Sequence, residues 1–388
     1  MLIINIISNK KSHFKDIILQ NLKCEKKMIL ISLLGKFDSA IFPIFFEFKN
    51  DITKHIIIHD DSRYETTKTQ KIIEAQEKFK EFYSLNYEVF SIKIDEDSYL
   101  DILSCYEKIV ELSNNKVEEV YFNGTGGLVS STIILSNKLL DKGANFIAYD
   151  IFDNGYNIVS KDSMQKKKIT QNKDINSHFL LKGYETLSTG SKIEAFKRKK
   201  EVLKICENIE NLQEFAIQIQ NKNHDEIRGF SNIKESLFKI EKLEDKMFIQ
   251  GTIFEEYIYW LLEDNFNFDQ VMFNVKVQFD ENLMNEFDIL MMKDNHLHVI
   301  ECKLRKSVPG EQYVYKLDSV IDYLDDDGKG MLLVIGGENH QFTSSGNSKT
   351  SFTNGTISRA NNANIKVHHF KTFNKQRFID DIKTHFLD

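Results

Sequence analysis

Along the first 150 residues, short apolar runs alternate with longer stretches in which hydrophobic positions recur every three or four residues, the signature of strands interleaved with amphipathic helices. The runs predict strands at Leu2–Ile7, Met28–Leu33, His55–His59, Glu88–Ile94, Val117–Phe122 and Asn145–Ile151, with helices at Thr66–Tyr83 and Ser98–Ser113. Helices on both faces imply a mostly parallel, doubly wound sheet whose ligands bind at the carboxyl ends of its strands. From 151 to 245 the pattern is mixed and reads as a connector that includes His178–Tyr184. Periodicity returns over 246–388 with a helix at Met247–Leu262 and strands at Val271–Phe279, Phe287–Met292 and His296–Lys303. A helix at Tyr313–Leu324 and strands at Met331–Ile335 and Ile365–Phe370 complete a second α/β unit.

The chemistry of this second unit concentrates in one hairpin. Glu286-Phe287-Asp288-Ile289-Leu290 and Val299-Ile300-Glu301-Cys302-Lys303 flank Asp294-Asn295, two residue types that tolerate positive φ and suit a two-residue turn. That turn sets Asp288 opposite Glu301. Two facing carboxylates repel, so the pairing makes sense with a cation between them. A period of two puts Lys303 on the face of Glu301 and turns Cys302 and Ile300 the other way. Hard oxygen ligands suit Mn²⁺ or Mg²⁺, and an adjacent ammonium orients the attacking water or stabilises charge on a phosphoryl group. Chance assembles such a pattern in many long chains, so its weight comes from context.

At 388 residues the chain exceeds what one core usually supports. No stretch approaches the length of a membrane span, and the opening Met1–Ile7 run lacks the basic lead and cleavage site of a signal peptide, so a cytoplasmic protein is expected. Cys24, Cys105, Cys206 and Cys302 are widely spaced, which predicts buried free thiols rather than a zinc site or disulfides. A net charge of −7 argues against a broad nucleic-acid-coating surface. A local basic cleft is compatible with it, and Lys166–Lys168 and Lys197–Lys200 are the candidate sources, although such runs usually mark solvated faces.

In the first unit, the strand ending at Phe122 runs into Asn123-Gly124-Thr125-Gly126-Gly127 and then a helix, Leu128–Leu140. Glycines allow close backbone approach, and the N–H groups at a helix start favour an anion such as phosphate. Asn123 and Thr125 are candidates to bond a base or ribose. The loop is neither a dinucleotide fingerprint nor a P-loop. Ser8, Asn9 and Lys10, after the first predicted strand, share the same sheet edge if the two strands are neighbours, and the two loops then form a pocket for a phosphate-rich ligand. A turn that needs glycine only for its geometry is the competing explanation.

Taken together, the NGTGG loop, the Gly251-Thr252-Ile253-Phe254-Glu255 helix start, the Phe287-Asp288 strand and the Glu301-Cys302-Lys303 strand resemble the CARF-domain nucleases that accompany type III CRISPR systems, in the single-CARF class with a PD-(D/E)xK nuclease. The resemblance covers nearly the whole chain. It implies a Rossmann-like CARF domain over 1–150 and a restriction-endonuclease-like α/β domain over 246–388. It further implies a homodimer that binds a cyclic oligoadenylate, typically cyclic tetra-adenylate, and then cleaves DNA or RNA with a divalent metal. By the same resemblance Glu255 is the outer acid, with Glu256 the fallback, while Asp288, Glu301 and the Cys302 carbonyl hold metal and Lys303 completes the catalytic set. Ser8, Asn9, Lys10 and Asn123 through Gly127 become ligand-binding residues, and Lys316 reaches a substrate phosphate. The family's loop commonly continues with Thr-Lys where this chain has Leu128-Val129, leaving Lys10 or Lys11 to supply that charge.

Two other functions compete. A restriction or repair endonuclease independent of any nucleotide signal needs a basic face and a recognition helix, neither of which is evident. A non-catalytic sensor has no reason to keep a repulsive carboxylate pair.

Overall fold

The structure, a computed structural model, describes residues 27–35, 41–60, 66–206, 251–304, 310–324, 327–335, 352–370 and 373–387. The predicted strand Leu2–Ile7 and the candidate residues Ser8, Asn9 and Lys10 lie outside them. The chain divides into two compact units between Gln171 and Asn172.

The first unit contains β1 (Met28–Leu33), α1 (Phe42–Phe48), β2 (Ile52–His59), α2 (Thr66–Tyr83), β3 (Glu88–Lys93), α3 (Tyr99–Leu112), β4 (Val120–Asn123), α4 (Val129–Asp141), β5 (Asn145–Asp150), β6 (Gly155–Ser160) and β7 (Ser163–Lys168). They form a sheet in the order β3-β2-β1-β4-β5-β6-β7. β3 through β5 in that order are parallel, and β6 and β7 add antiparallel strands at one edge. Every residue of β1 is buried, as expected of a strand covered on both faces. α3 shows how local sequence sets an element: Ser98 caps it by accepting from Asp101 N–H, Asp101 complements the first turn, and Ile102, Cys105 and Ile109 line its buried stripe.

This order puts the switch point between β1 and β4, which pair with each other while their chains leave to opposite neighbours, β2 and β5. β4 therefore has β1 and β5 on its two sides, and the loop sharing its edge is the one that follows β1, beginning Leu34-Gly35.

The second unit contains α5 (Ile175–Leu181), β8 (Glu185–Ser188), α6 (Lys192–Cys206), α7 (Ile253–Asn265), β9 (Gln270–Asp280), β10 (Leu283–Lys293), β11 (His296–Leu304), α8 (Gly310–Leu324), β12 (Gly330–Ile335), α9 (Asn354–Asn362), β13 (Ile365–Phe370) and α10 (Lys375–Ile382). Its sheet runs β13-β12-β11-β10-β9-β8, antiparallel from β8 to β11 and parallel from β11 to β13. α7 packs into the core with Ile289, Ile300, Cys302 and Leu333, and α8 packs into the opposite core with Leu290, Val299 and Leu332. The stretch 151–245, expected as a connector, is divided over its described residues between the two units: β6 and β7 extend the first sheet, while β8 pairs with β9 of the second. Apolar alternation is weak in β7 and β8 because these edge strands bury little, which hid them in the sequence.

Candidate functional site

The β10–β11 hairpin turns at Asp294 (φ 50°) and Asn295 (φ 70°), the left-handed pair expected of a two-residue turn. From Lys293–His296 the ladder runs to Ile289–Ile300 and ends there, one pair short of Asp288 and Glu301. Asp288 does not simply face Glu301 across a closed ladder: its Oδ2 accepts from Cys302 N–H at 2.7 Å. β9 is distorted at the same level, where Asn274 has φ 49°. Val275 and Phe287 join one core whereas Phe273 and Ile289 join the other, although residues two apart in a regular strand share a face.

The side chain of Lys303 fills the gap between the acids. Its Nζ lies 3.0 Å from Asp288 Oδ2, 2.7 Å from Glu301 Oε1 and 2.9 Å from the Cys302 carbonyl oxygen. Glu255, in the first turn of α7, adds a third carboxylate; burial first and the Asp288 charge second push its pKa up to about 8. Asp288 is raised as well, by burial and then by the charge of Glu301, against the pull of Lys303. Burial works to deprotonate Lys303, but Asp288 and Glu301 outweigh it and hold the ammonium above its ordinary range. The neighbouring Glu256 is fully buried and turns away, accepting two hydrogen bonds from the Arg198 guanidinium of α6. Of the two adjacent glutamates, only Glu255 joins the cluster.

Among the described residues, no group of three or more His, Cys, Asp or Glu side chains is arranged to hold a metal. The oxygen set here consists of two carboxylates and a backbone carbonyl, hard donors that fit Mg²⁺ or Mn²⁺ and already converge on one cationic group. Beside Glu301, a small cavity is lined by Glu286, Tyr313 and Lys316. Lys316 Nζ lies 3.7 Å from Glu301 Oε1, and the Tyr313 ring centroid is 5.5 Å from the Lys303 ammonium.

In the first unit the double glycine has a steric reason. A Cβ on Gly35 would fall 1.3 Å from the Gly126 carbonyl oxygen, and one on Gly126 would fall 2.6 Å from that of Leu33, so the loops after β1 and β4 touch backbone to backbone. The candidate ligand-binding side chains brace this contact. Asn123 Nδ2 donates to the Ile41 carbonyl at 3.3 Å, and its Oδ1 accepts from Thr125 Oγ1 at 2.7 Å. Thr125 Oγ1 in turn accepts from Tyr149 N–H at 3.1 Å. The start of α4, expected to receive an anion, is capped from within the protein: Glu96 Oε1 accepts from Leu128 N–H at 3.2 Å and from Ser131 Oγ at 2.6 Å. Val129, where the resemblance expects a lysine, is an exposed apolar residue.

Comparison with known proteins bears on both units. Residues 236–340 match the family described as Card1-like, endonuclease domain. This Card1-like segment contains Glu255, Asp288, Glu301, Cys302, Lys303 and Lys316. No curated protein matches the sequence. Among solved structures, the chain is similar to Can2 from Sulfobacillus thermosulfidooxidans in complex with cyclic tetra-adenylate, with 17% identity, a TM-score of 0.65 and coverage of 92% of this chain and 98% of that one. Protein VC1899 from Vibrio cholerae is similar at 16% identity and a TM-score of 0.66, over 92% of this chain and 96% of that one. A third, described as a type III CRISPR defence DNA nuclease activated by cyclic oligoadenylate, has 11% identity and a TM-score of 0.52 over 83% of this chain, which spans 47% of that one. The domain match and the shared fold bear out the resemblance to a CARF-domain nuclease and the two-part α/β architecture read from the motifs.

Outside the Card1-like segment, residues of both charge runs pair with nearby acids. On α6, Lys197 bonds Glu194 and Lys199 bonds Asp264, each at 2.6 Å, while Arg198 holds Glu256. On β7, Lys166 pairs with Asp150 and Asp153. Cys105, Cys206 and Cys302 are buried free thiols, as expected, and burial pushes each above its ordinary pKa. No described helix is long and apolar enough to cross a membrane. Sequence reasoning missed Glu96, and it missed Glu286 as a contributor to the acidic cluster, although its position two residues before Asp288 was the available signal.

Proposed function

We propose that this chain is a cyclic-oligoadenylate-activated, metal-dependent endonuclease of type III CRISPR antiviral defence, working as a cytoplasmic homodimer. Its N-terminal unit senses the ring, cyclic tetra-adenylate, and its C-terminal unit cuts single-stranded DNA or RNA or nicks duplex DNA. The observation that carries this reading is the convergence of Asp288 Oδ2, Glu301 Oε1 and the Cys302 carbonyl on one ammonium within a segment that matches a Card1-like endonuclease domain. Support for the sensor comes from Can2, solved with cyclic tetra-adenylate, and from the CRISPR nuclease described as activated by cyclic oligoadenylate.

In this reading Asp288, Glu301 and the Cys302 carbonyl hold a Mn²⁺ or Mg²⁺ ion, which when bound supplies Lewis acidity at the scissile phosphate and makes water a better nucleophile. Lys303 keeps its proton, because its two carboxylate neighbours raise its pKa, and its ammonium donates to a phosphoryl oxygen as charge develops there. Glu255 carries a proton near neutrality while the cluster is crowded and loses it as the local negative charge is compensated. Lys316, beside Glu301, meets the substrate backbone. Recognition through phosphates rather than base edges predicts low sequence specificity.

The test is purified protein with Mn²⁺ or Mg²⁺ against single-stranded DNA, single-stranded RNA and supercoiled plasmid, with and without cyclic tetra-adenylate, beside Glu301→Ala. Metal-dependent, ring-stimulated cutting that disappears in the variant is expected. Cutting that persists in excess EDTA, or in Glu301→Ala at the wild-type rate, overturns the assignment.

A further inference from the structure

Glu96 follows β3 and lies at the carboxyl-end edge of the first sheet, the edge that also carries the glycine loop. It is 2% exposed, although carboxylates are seldom buried without full pairing. One of its oxygens is well used: Oε1 caps α4 through Leu128 N–H and Ser131 Oγ. The other, Oε2, is buried and has no hydrogen-bond partner. Its own backbone N–H donates to Asp60 Oδ2 at 3.0 Å, which brings a second carboxylate, 2% exposed, to the same edge from the end of β2.

This arrangement reverses the chemistry expected of the helix start. The Glu96 carboxylate already accepts from the Leu128 N–H at the start of α4, and its charge repels a phosphate placed there. What remains unsatisfied is an acceptor, and a buried acceptor without a donor is costly enough that native structures seldom retain one without a use. We propose that Glu96 is a specificity-determining residue of the sensor unit, its Oε2 accepting a hydrogen bond from a neutral donor of the bound cyclic nucleotide, either an exocyclic amine of the base or a ribose 2′-hydroxyl. The phosphates of the ring are then held away from α4. This inference rests on the cyclic-oligoadenylate reading given above.

The test measures affinity of the full-length protein for cyclic tetra-adenylate, for the same ring with each exocyclic amine replaced by oxygen, and for the ring with each 2′-hydroxyl replaced by hydrogen. Each is titrated against wild type and Glu96→Gln, with thermal unfolding recorded alongside. Gln keeps an acceptor for Leu128 and Ser131 but replaces Oε2 with a donor, so affinity for the native ring should fall about tenfold or more while the unfolding temperature stays close to wild type. Wild type should lose a similar factor with only one of the two analogues, and that analogue should bind Glu96→Gln no worse than the native ring does. This pattern identifies which donor is read. Native-ring affinity within about twofold of wild type in a folded Glu96→Gln makes Glu96 a helix cap alone and overturns the proposal. Equal binding of all three rings by wild type overturns it without any substitution, so the result does not depend on the variant folding. If wild type binds no cyclic oligoadenylate, the sensor reading fails and the proposal falls with it, an outcome visible before Glu96 is altered.

Discussion

At the hairpin of the C-terminal unit, Asp288 and Glu301 share the ammonium of Lys303 and crowd Glu255, whereas at the glycine loop of the N-terminal unit Asn123, Thr125 and Ser131 each have partners of their own. The first arrangement is electrostatically frustrated: burial and like charge raise the pKa values of two of its carboxylates, the condition that favours a metal and a reacting phosphate. The second is nearly satisfied, and its side chains hold the loop in shape. A polar loop at the right edge of a sheet is therefore a weaker guide to ligand contacts than a cluster of charges that the fold has not neutralised.

The comparison breaks first if the crowded acids do no chemistry. Replacing Asp288 with Ala should lower the cleavage rate by at least about 10³-fold, measured on a labelled oligonucleotide at saturating metal, while affinity for cyclic tetra-adenylate stays unchanged. Next, Lys303→Met removes the cation bonded to both Asp288 and Glu301 and should destabilise the metal-free second unit by about 3–5 kcal/mol in denaturant titrations. Saturating Mg²⁺ should restore much of that loss; if Mg²⁺ has no effect on the variant, the acids do not form a cation site.

The satisfied unit offers a contrasting test with pH. His55 is buried, bonds Gln76 and Ser32, and stacks on Phe45, and burial lowers its pKa to about 4. The unfolded chain takes up a proton near the ordinary 6.5, while folded His55 resists until about 4. Stability of the first unit is thus fully present above 6.5 and declines as pH falls towards 4, by about 3 kcal/mol in total. His55→Gln should flatten that decline. A smaller loss, about 1–3 kcal/mol, is expected for Asn123→Ala, which removes one donor to the Ile41 carbonyl and the acceptor of the Thr125 hydroxyl proton. The smallest effect belongs to Lys316→Ala: KM for the nucleic acid should rise a few-fold, about 1 kcal/mol or less, because this side chain is half exposed and its charge is screened.

How much the sequence revealed follows the same division. The alternation of β10 and β11 is local, and a two-residue turn fixes its register, so Asp288, Glu301 and Lys303 could be aligned from spacing alone. The end of the ladder at Ile289–Ile300 and the change of face around Asn274 could not, because both depend on how three strands twist together. The choice between Glu255 and Glu256 required Arg198, which lies 58 residues before Glu256. In the first unit the parallel sheet and the glycine loop were legible, including α2 over Thr66–Tyr83. The cap on α4 was not: it comes from a carboxylate 32 residues upstream of Leu128, and neither helical periodicity nor local capping rules reach that far.

The central claim is that the frustrated site is an output governed by the sensor. Its most direct test is the initial rate of single-strand cleavage by wild-type protein in Mn²⁺, with saturating cyclic tetra-adenylate against none. A stimulation of about a hundredfold, abolished in Glu301→Ala, is the predicted result, corresponding to a coupling of about 3 kcal/mol between the units. Equal rates with and without the ring, at any ring concentration, would contradict it.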